Sequence, residues 1–230
     1  KALTIENNNI SALRNLGMIY SHIGNLDEAI SYLDKTINLD SNDHQSKYIL
    51  AQIQLYKKRF KEGWKNYESR WLCEYFKEKK FFSSKPLVSN LDNLNNVFLW
   101  PEQGIGDQIM YGSMINQLSK LCNKLTVRLD ERLIKLFEKK NPEIKFIGKK
   151  DNINDAEFDH HMSLVDLGKF FRLNTNEFKK TKFPYITYKK KLCTKIKNSF
   201  EKKKQLIIGI SWTSKNKEMG EDKSIHLENL

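Results

Sequence analysis

The chain has 230 residues, 39% hydrophobic and 30% charged, which excludes wholesale disorder and leaves room for one large or two small globular cores. No apolar run reaches the roughly 18 residues of a membrane-crossing helix, and the scattered Cys73, Cys122 and Cys193 exclude a disulfide framework or a Cys-x-x-Cys zinc site. The 40 Lys and Arg against 28 Asp and Glu give a net charge of +12, but the lysines are spread among many Asn and Ile, so they read as composition bias and no nucleic-acid partner is expected.

Residue 1 is Lys and not Met, so a piece of a longer protein is expected. No secretory pattern opens the chain, and with reduced thiols the cytoplasm is the expected compartment.

An internal repeat comes first. "KALTIENNN" at 1–9 aligns with "KTINLDSND" at 35–43, an offset of 34 residues. Gly17 and Ala29 are expected where two antiparallel helices touch and only small side chains fit. Leu13, Leu16, Tyr20, Leu33 and Thr36 fill the surrounding slots, and Gly24-Asn25 breaks the chain between the helices. Leu50, Ala51, Gly63 and Tyr67 return in the same slots one period later, with Trp64 and Trp71 adding bulk as an end cap would. The pattern resembles tetratricopeptide repeats over 1–75. That resemblance implies a helical array that either binds a protein partner or supports an enzyme.

Residues 76–95 read as a linker, pinned by Phe81, Phe82 and Leu87. From 96 to 188 short strands alternate with helices: strands at 96–100, 124–129 and 143–148, helices at 108–121, 130–142 and 163–173. The first helix is expected to turn Ile109, Met110, Met114, Leu118 and Leu121 inward. Asp130 should cap the second, which stops at Pro142. A basic amphipathic helix over 189–204, with Leu192, Ile196 and Phe200 inward, leads to a further strand at 205–212. This βα alternation predicts a parallel sheet with flanking helices, whose ligands bind at the carboxyl ends of the strands. Residues 104–107 and 212–217 fall there.

The turn "EQGIGD" directly follows the first strand. Gly104 and Gly106 permit a tight bend and close backbone approach. The third glycine of a dinucleotide fingerprint is missing, and no Lys-Ser/Thr follows as in a phosphate loop. Asp107 has two readings: a helix cap, worth roughly 0.5–2 kcal/mol, or a general base. His160 and His161 are adjacent on an extended segment and point to opposite faces, so a shared metal is not expected. Each is either a satisfied histidine or a polar group at the edge of a cleft.

Four stretches, "EQGIGDQIMYGSMI", "LTVRLDERLIKLFEKKNPEIKFI", "FDHHMSLVDLGKFFRL" and "IGISWTSKNKEMGEDKSIHLENL", occur in the order found in bacterial tetratricopeptide-fused glycosyltransferases related to the heptosyltransferases, which the chain resembles over about 60–230. The resemblance implies an α+α/β chain: helical repeats, then a Rossmann-like parallel lobe forming the amino-terminal half of a GT-B fold, then the start of a second lobe at 189–230. It implies that Asp107 is the catalytic base and that Gln103, Gly104 and Gly106 form the acceptor-side turn, with His160 or His161 near the acceptor. It sets Lys215 and Lys223 toward the diphosphate of a nucleotide sugar, where their alternative is an exposed lysine. Trp212 either stacks in the cleft or closes a strand-end core. The donor is a substrate, and no cofactor or metal is implied. Because most of a GT-B donor site lies in the second lobe, residues 1–230 alone are expected to be inactive. The rival expectation is a non-catalytic scaffold that binds a protein or glycan.

Overall fold

The computed structural model describes residue 4 and residues 6–201. The strand expected at 205–212, and with it Trp212, Lys215 and Lys223, lies outside the described residues. The chain forms two compact units, Lys1–Thr187 and Tyr188–Leu230, so the helical repeats and the sheet share one unit.

Among the described residues, the helical part of that unit contains α1 (Ile10–His22), α2 (Leu26–Leu39), α3 (His44–Tyr56) and α4 (Phe60–Tyr67). The helix starts at Ile10 and Leu26 return at His44 and Phe60, 34 residues on. Side-chain caps begin α1 and α3: Asn9 accepts from the Ala12 amide and Asp43 from the Ser46 amide. Gly24, at φ 81°, makes the bend between α1 and α2. The small residues are required where expected. A Cβ on Gly17 would lie 2.7 Å from Leu33 Cγ, and one on Gly63 would lie 2.8 Å from Leu55 Cγ. Ala29, Leu33, Leu50 and Ile53 form the core between these helices.

A 3₁₀ turn (Glu68–Leu72) ends the helical part, and an irregular connector leads to the sheet. Strands β1 (Leu94–Trp100), β2 (Cys122–Leu129), β3 (Lys145–Gly148) and β4 (His160–Ser163) pair in the order β3-β2-β1-β4, all parallel. β1 is central among these strands, and Val97, Phe98, Leu99 and Trp100 are buried in succession, as a strand covered on both faces requires. β4 was not expected as a strand. "HHMS" carries no alternating apolar pattern, and its place is set by pairing from Val97↔His160 to Trp100↔Ser163.

The helix expected at 108–121 is two pieces, α5 (Ile105–Gly112) and α6 (Ile115–Leu118). Gly112 presses against the ring of Phe137 in α7 (Glu131–Glu138), where a Cβ would lie 2.5 Å from Cζ. The chain then turns, and the second piece buries Met114, Ile115 and Leu118 while Met110 and Leu121 stay exposed. Asp130 caps α7 as expected, accepting from the Arg132 amide.

The connector is pinned differently from expectation. Phe81 packs on Phe98, Trp100 and Phe158, but Phe82 is 94% exposed. Leu87 also stays partly exposed, and the neighbouring Val88 is the buried anchor. The backbone of this segment bonds to β4: the Val88 amide donates to His161 O at 3.0 Å, and the His161 amide donates to Pro86 O at 3.1 Å.

Trp64 joins the helical part to the sheet part. Its Nε1 donates to Arg172 O at 2.9 Å, and its ring lies over Gly168 at the start of α8 (Gly168–Phe171). A Cβ on Gly168 would come within 2.2 Å of Trp64 Cζ2. Gly168→Ala should therefore destabilise the chain by about 1–3 kcal/mol, as an overpacked core does. Urea unfolding measures this, and an unchanged midpoint would refute it.

In the second unit α9 (Lys190–Glu201) is the one described element. Leu192, Ile196 and Phe200 stand about half exposed on it rather than inward, with no other described element of that unit to cover them.

Candidate functional site

The strand order reverses at β1: β2 and β3 lie to one side of it and β4 to the other. The loops leaving β1 and β4 emerge side by side at the carboxyl ends of these paired strands, the place where open parallel sheets bind ligands. Residues 101–107 and 164–167 build this edge.

Its floor is ionic. Glu102 accepts from Arg70 Nε and Nη2, each at 2.8 Å, and Arg70 Nη2 also donates to Asp166 Oδ1 at 2.8 Å. The Ser163 hydroxyl donates to Glu102. The side chains of Arg70 and Glu102 are fully shielded, and that of Asp166 nearly so. The guanidinium lies between two rings, 4.8 Å from the centre of Tyr67 and 4.3 Å from that of Trp71. Burial acts against the Arg70 charge, but Asp166 and Glu102 outweigh it and keep the group protonated. Burial pushes the Glu102 carboxyl up, opposed by its bonds from Arg70 and Ser163. Arg70 comes from the 3₁₀ turn at the end of the helical part, so the helices brace the edge from below.

The Gly-x-Gly-Asp turn rests on this floor. Gln103 Nε2 donates to the Tyr67 hydroxyl at 3.0 Å. Gln108 Nε2 donates to Gln103 O at 3.1 Å, while Gln108 Oε1 accepts from the Asp130 amide at 2.8 Å. The first turn of α5 is thus tied to Tyr67 on one side and to the β2–α7 junction on the other.

Gly104, not Asp107, is the residue at the cap of α5, and no side chain caps that end. Asp107 stands in the first turn, half-buried, where the helix dipole favours a negative charge. Its carboxylate makes no hydrogen bond or ion pair with the described residues. A Cβ on Gly104 would sit 3.6 Å from Asp107 Oδ2, whereas Gly106 faces open space. One turn on, burial, helped by Tyr67 and Asp107, pushes the Tyr111 hydroxyl up and keeps it protonated. An unengaged carboxylate beside two exposed glycines can accept a proton from a hydroxyl brought to the turn.

The histidines are elsewhere. His160 and His161 open β4, at the end of the strand opposite Ser163 and the turn. His161 is 3% exposed. Its Nδ1 accepts from Trp100 Nε1 at 3.0 Å and its Nε2 donates to Lys85 O at 3.1 Å, which fixes one neutral tautomer. These bonds occupy both ring nitrogens, one tying β4 to Trp100 of β1 and the other to the connector, which leaves none for an acceptor. His160 is half-buried, and its Nδ1 has no partner among the described residues.

Burial lowers the His161 pKa below its ordinary value of 6.5. The unfolded chain therefore binds a proton at a pH where the folded chain does not, and stability falls as pH drops below the unfolded value. Below the ordinary value of 6.5 the loss should run at up to about 1.4 kcal/mol per pH unit and level off once the folded pKa is passed. Urea unfolding of wild type against His161→Gln checks this, since the variant lacks that part of the slope. Equal slopes would refute it.

Arg70, Glu102, Ser163 and Asp166 were not singled out from sequence. Glu102 lies inside the quoted turn, but nothing in the spacing links it to an arginine 32 positions earlier. Among the described residues, no group of three or more His, Cys, Asp or Glu side chains is placed to hold a metal ion. No described helix is long and apolar enough to cross a membrane.

No protein-family model and no curated protein matches the chain. Among solved structures it is similar to a mutant of the O-GlcNAc transferase of Thermobaculum terrenum, at 12% identity and a TM-score of 0.27, over 67% of this chain and 37% of that one. The chain thus spans well under two thirds of that protein's length.

Proposed function

We propose that this chain is the acceptor-side, amino-terminal part of a nucleotide-sugar-dependent inverting glycosyltransferase, carried on tetratricopeptide-like helices. One observation carries the reading: a carboxylate, Asp107, with no hydrogen-bond or ion-pair partner among the described residues, in the first turn of the helix that follows β1, at the point where the sheet order reverses. Asp107 takes the proton of the acceptor hydroxyl as its oxygen bonds to the anomeric carbon. The bond from that carbon to the diphosphate oxygen breaks on the opposite face, and the nucleotide leaves with the electron pair. Gln103, held by Tyr67, and Gly104 and Gly106 shape the acceptor subsite. Trp212, Lys215 and Lys223 are assigned to the donor side. The test is transfer from nucleotide sugars by the protein carrying the donor-side residues, wild type against Asp107→Asn. Undiminished turnover by the variant would overturn the base assignment.

The buried Arg70–Glu102–Asp166 group favours a second reading, a non-catalytic scaffold, because it fills the space between the ends of β1 and β4 with a fixed network. Under that reading the protein has no affinity for nucleotide sugars. Calorimetry with a panel of them separates the two, saturable binding excluding the scaffold.

A further inference from the structure

A second concavity lies at the far end of α5 from Asp107. It has a volume of about 240 Å³ and is walled by the break between α5 and α6, the chain just after α7, and residues 180–185. Four lysines line it, Lys120, Lys140, Lys180 and Lys182, and no carboxylate does. None of the four makes an ion pair with a described residue. Gln117 and Thr181 line it as well.

Behind this wall sits Arg172, 4% exposed. Its Nη1 donates to Gln117 Oε1 at 3.2 Å and its Nη2 to Thr181 Oγ1 at 2.6 Å. It has no ion pair. Burial weakens its charge, and only the longer-range field of Glu177 supports it. The bond from Arg172 also fixes the Gln117 amide, with the oxygen toward the guanidinium. Gln117 Nε2 is left buried with no acceptor among the described residues. A buried amide without an acceptor is unfavourable, so this wall lacks an acceptor at Gln117 as well as a carboxylate.

We propose that this cavity is a binding site for a small phosphate-bearing anion, with the four lysines as counter-charges. Its volume lies below the roughly 300–1,000 Å³ of drug-sized ligand sites, so a phosphate or pyrophosphate group fits it and a whole nucleotide does not. Multiply charged oxygens supply the acceptors and the negative charge that the four lysines lack among the described residues. The site is separate from the Asp107 turn and does not depend on its chemistry.

Calorimetric titration of inorganic pyrophosphate into the protein at low ionic strength tests this. One saturable event is expected that weakens at least about tenfold in Lys140→Gln/Lys182→Gln. Both lysines are exposed, so this variant keeps the fold. A charge-matched control, Lys61→Gln/Lys79→Gln, and Asp107→Asn should bind as wild type does. Absence of saturable binding, equal weakening by the control, or undiminished binding by Lys140→Gln/Lys182→Gln would each overturn the proposal. Inorganic phosphate and glycerol phosphate, run as separate arms, tell a free anion from a phosphate ester.

Discussion

Arg70→Ala should destabilise the folded chain by about 3–5 kcal/mol, the cost of breaking a buried ion pair from one side. The variant removes the cation between Glu102 and Asp166 and leaves the Glu102 carboxylate, with the Ser163 hydroxyl, buried beside the nearly buried Asp166. Arg70→Lys keeps the charge but loses the two-pronged contact to Glu102, so it should recover only part of the stability. Replacing Arg70, Glu102 and Asp166 together by apolar residues of similar volume should recover most of it, because no charge is then left unpaired. Trp64 and Trp100 are buried beside this network and Trp71 is partly buried there, so urea unfolding followed by tryptophan fluorescence reports on it. A loss under about 1 kcal/mol for Arg70→Ala would place the pair in the class of exposed salt bridges and sink the account of the floor.

Asp107→Asn should lower glycosyl transfer by about 10²–10⁴-fold, the usual worth of a general base, and leave stability within about 0.5 kcal/mol. The two halves of this expectation share one origin. The carboxylate makes no hydrogen bond or ion pair with the described residues, so the near-isosteric amide breaks nothing in the fold while losing the ability to take a proton. The effect should appear in kcat and kcat/KM together, since the proton moves only as the new bond forms. A rise in KM with kcat unchanged would make Asp107 an acceptor-binding group and not the base. A loss of stability on the scale of a missing cap would restore the capping role that the position of Gly104 argues against.

Local patterns carried much of the fold. The 34-residue period put Gly17 and Gly63 at close helix contacts because only steric crowding demands glycine there. Asp130 before a helical stretch identified its own cap. Features set by distant partners did not show. The break after Gly112 faces Phe137 in another helix, and β4 is a strand because β1 pairs with it, not because "HHMS" prefers one. Arg70 ends a degenerate repeat and has no periodic neighbour to mark it. Its meaning appears only when the loops after β1 and β4 close over it. The turn was legible for the opposite reason. Its glycines and aspartate fall within four successive positions, and the strand before them and the helix after them are both apparent in the pattern.

The connector does more than span two parts of the chain. By bonding to both the amide and the carbonyl of His161, residues 86–88 occupy positions on the flank of β4 where an extended segment of another molecule would otherwise add itself. Proline in this stretch offers a carbonyl but no amide, so the flank is covered without creating a fresh ladder for propagation. Changes to 86–88 that spare every residue of the turn would therefore surface first as self-association and lost solubility, before any loss of chemistry.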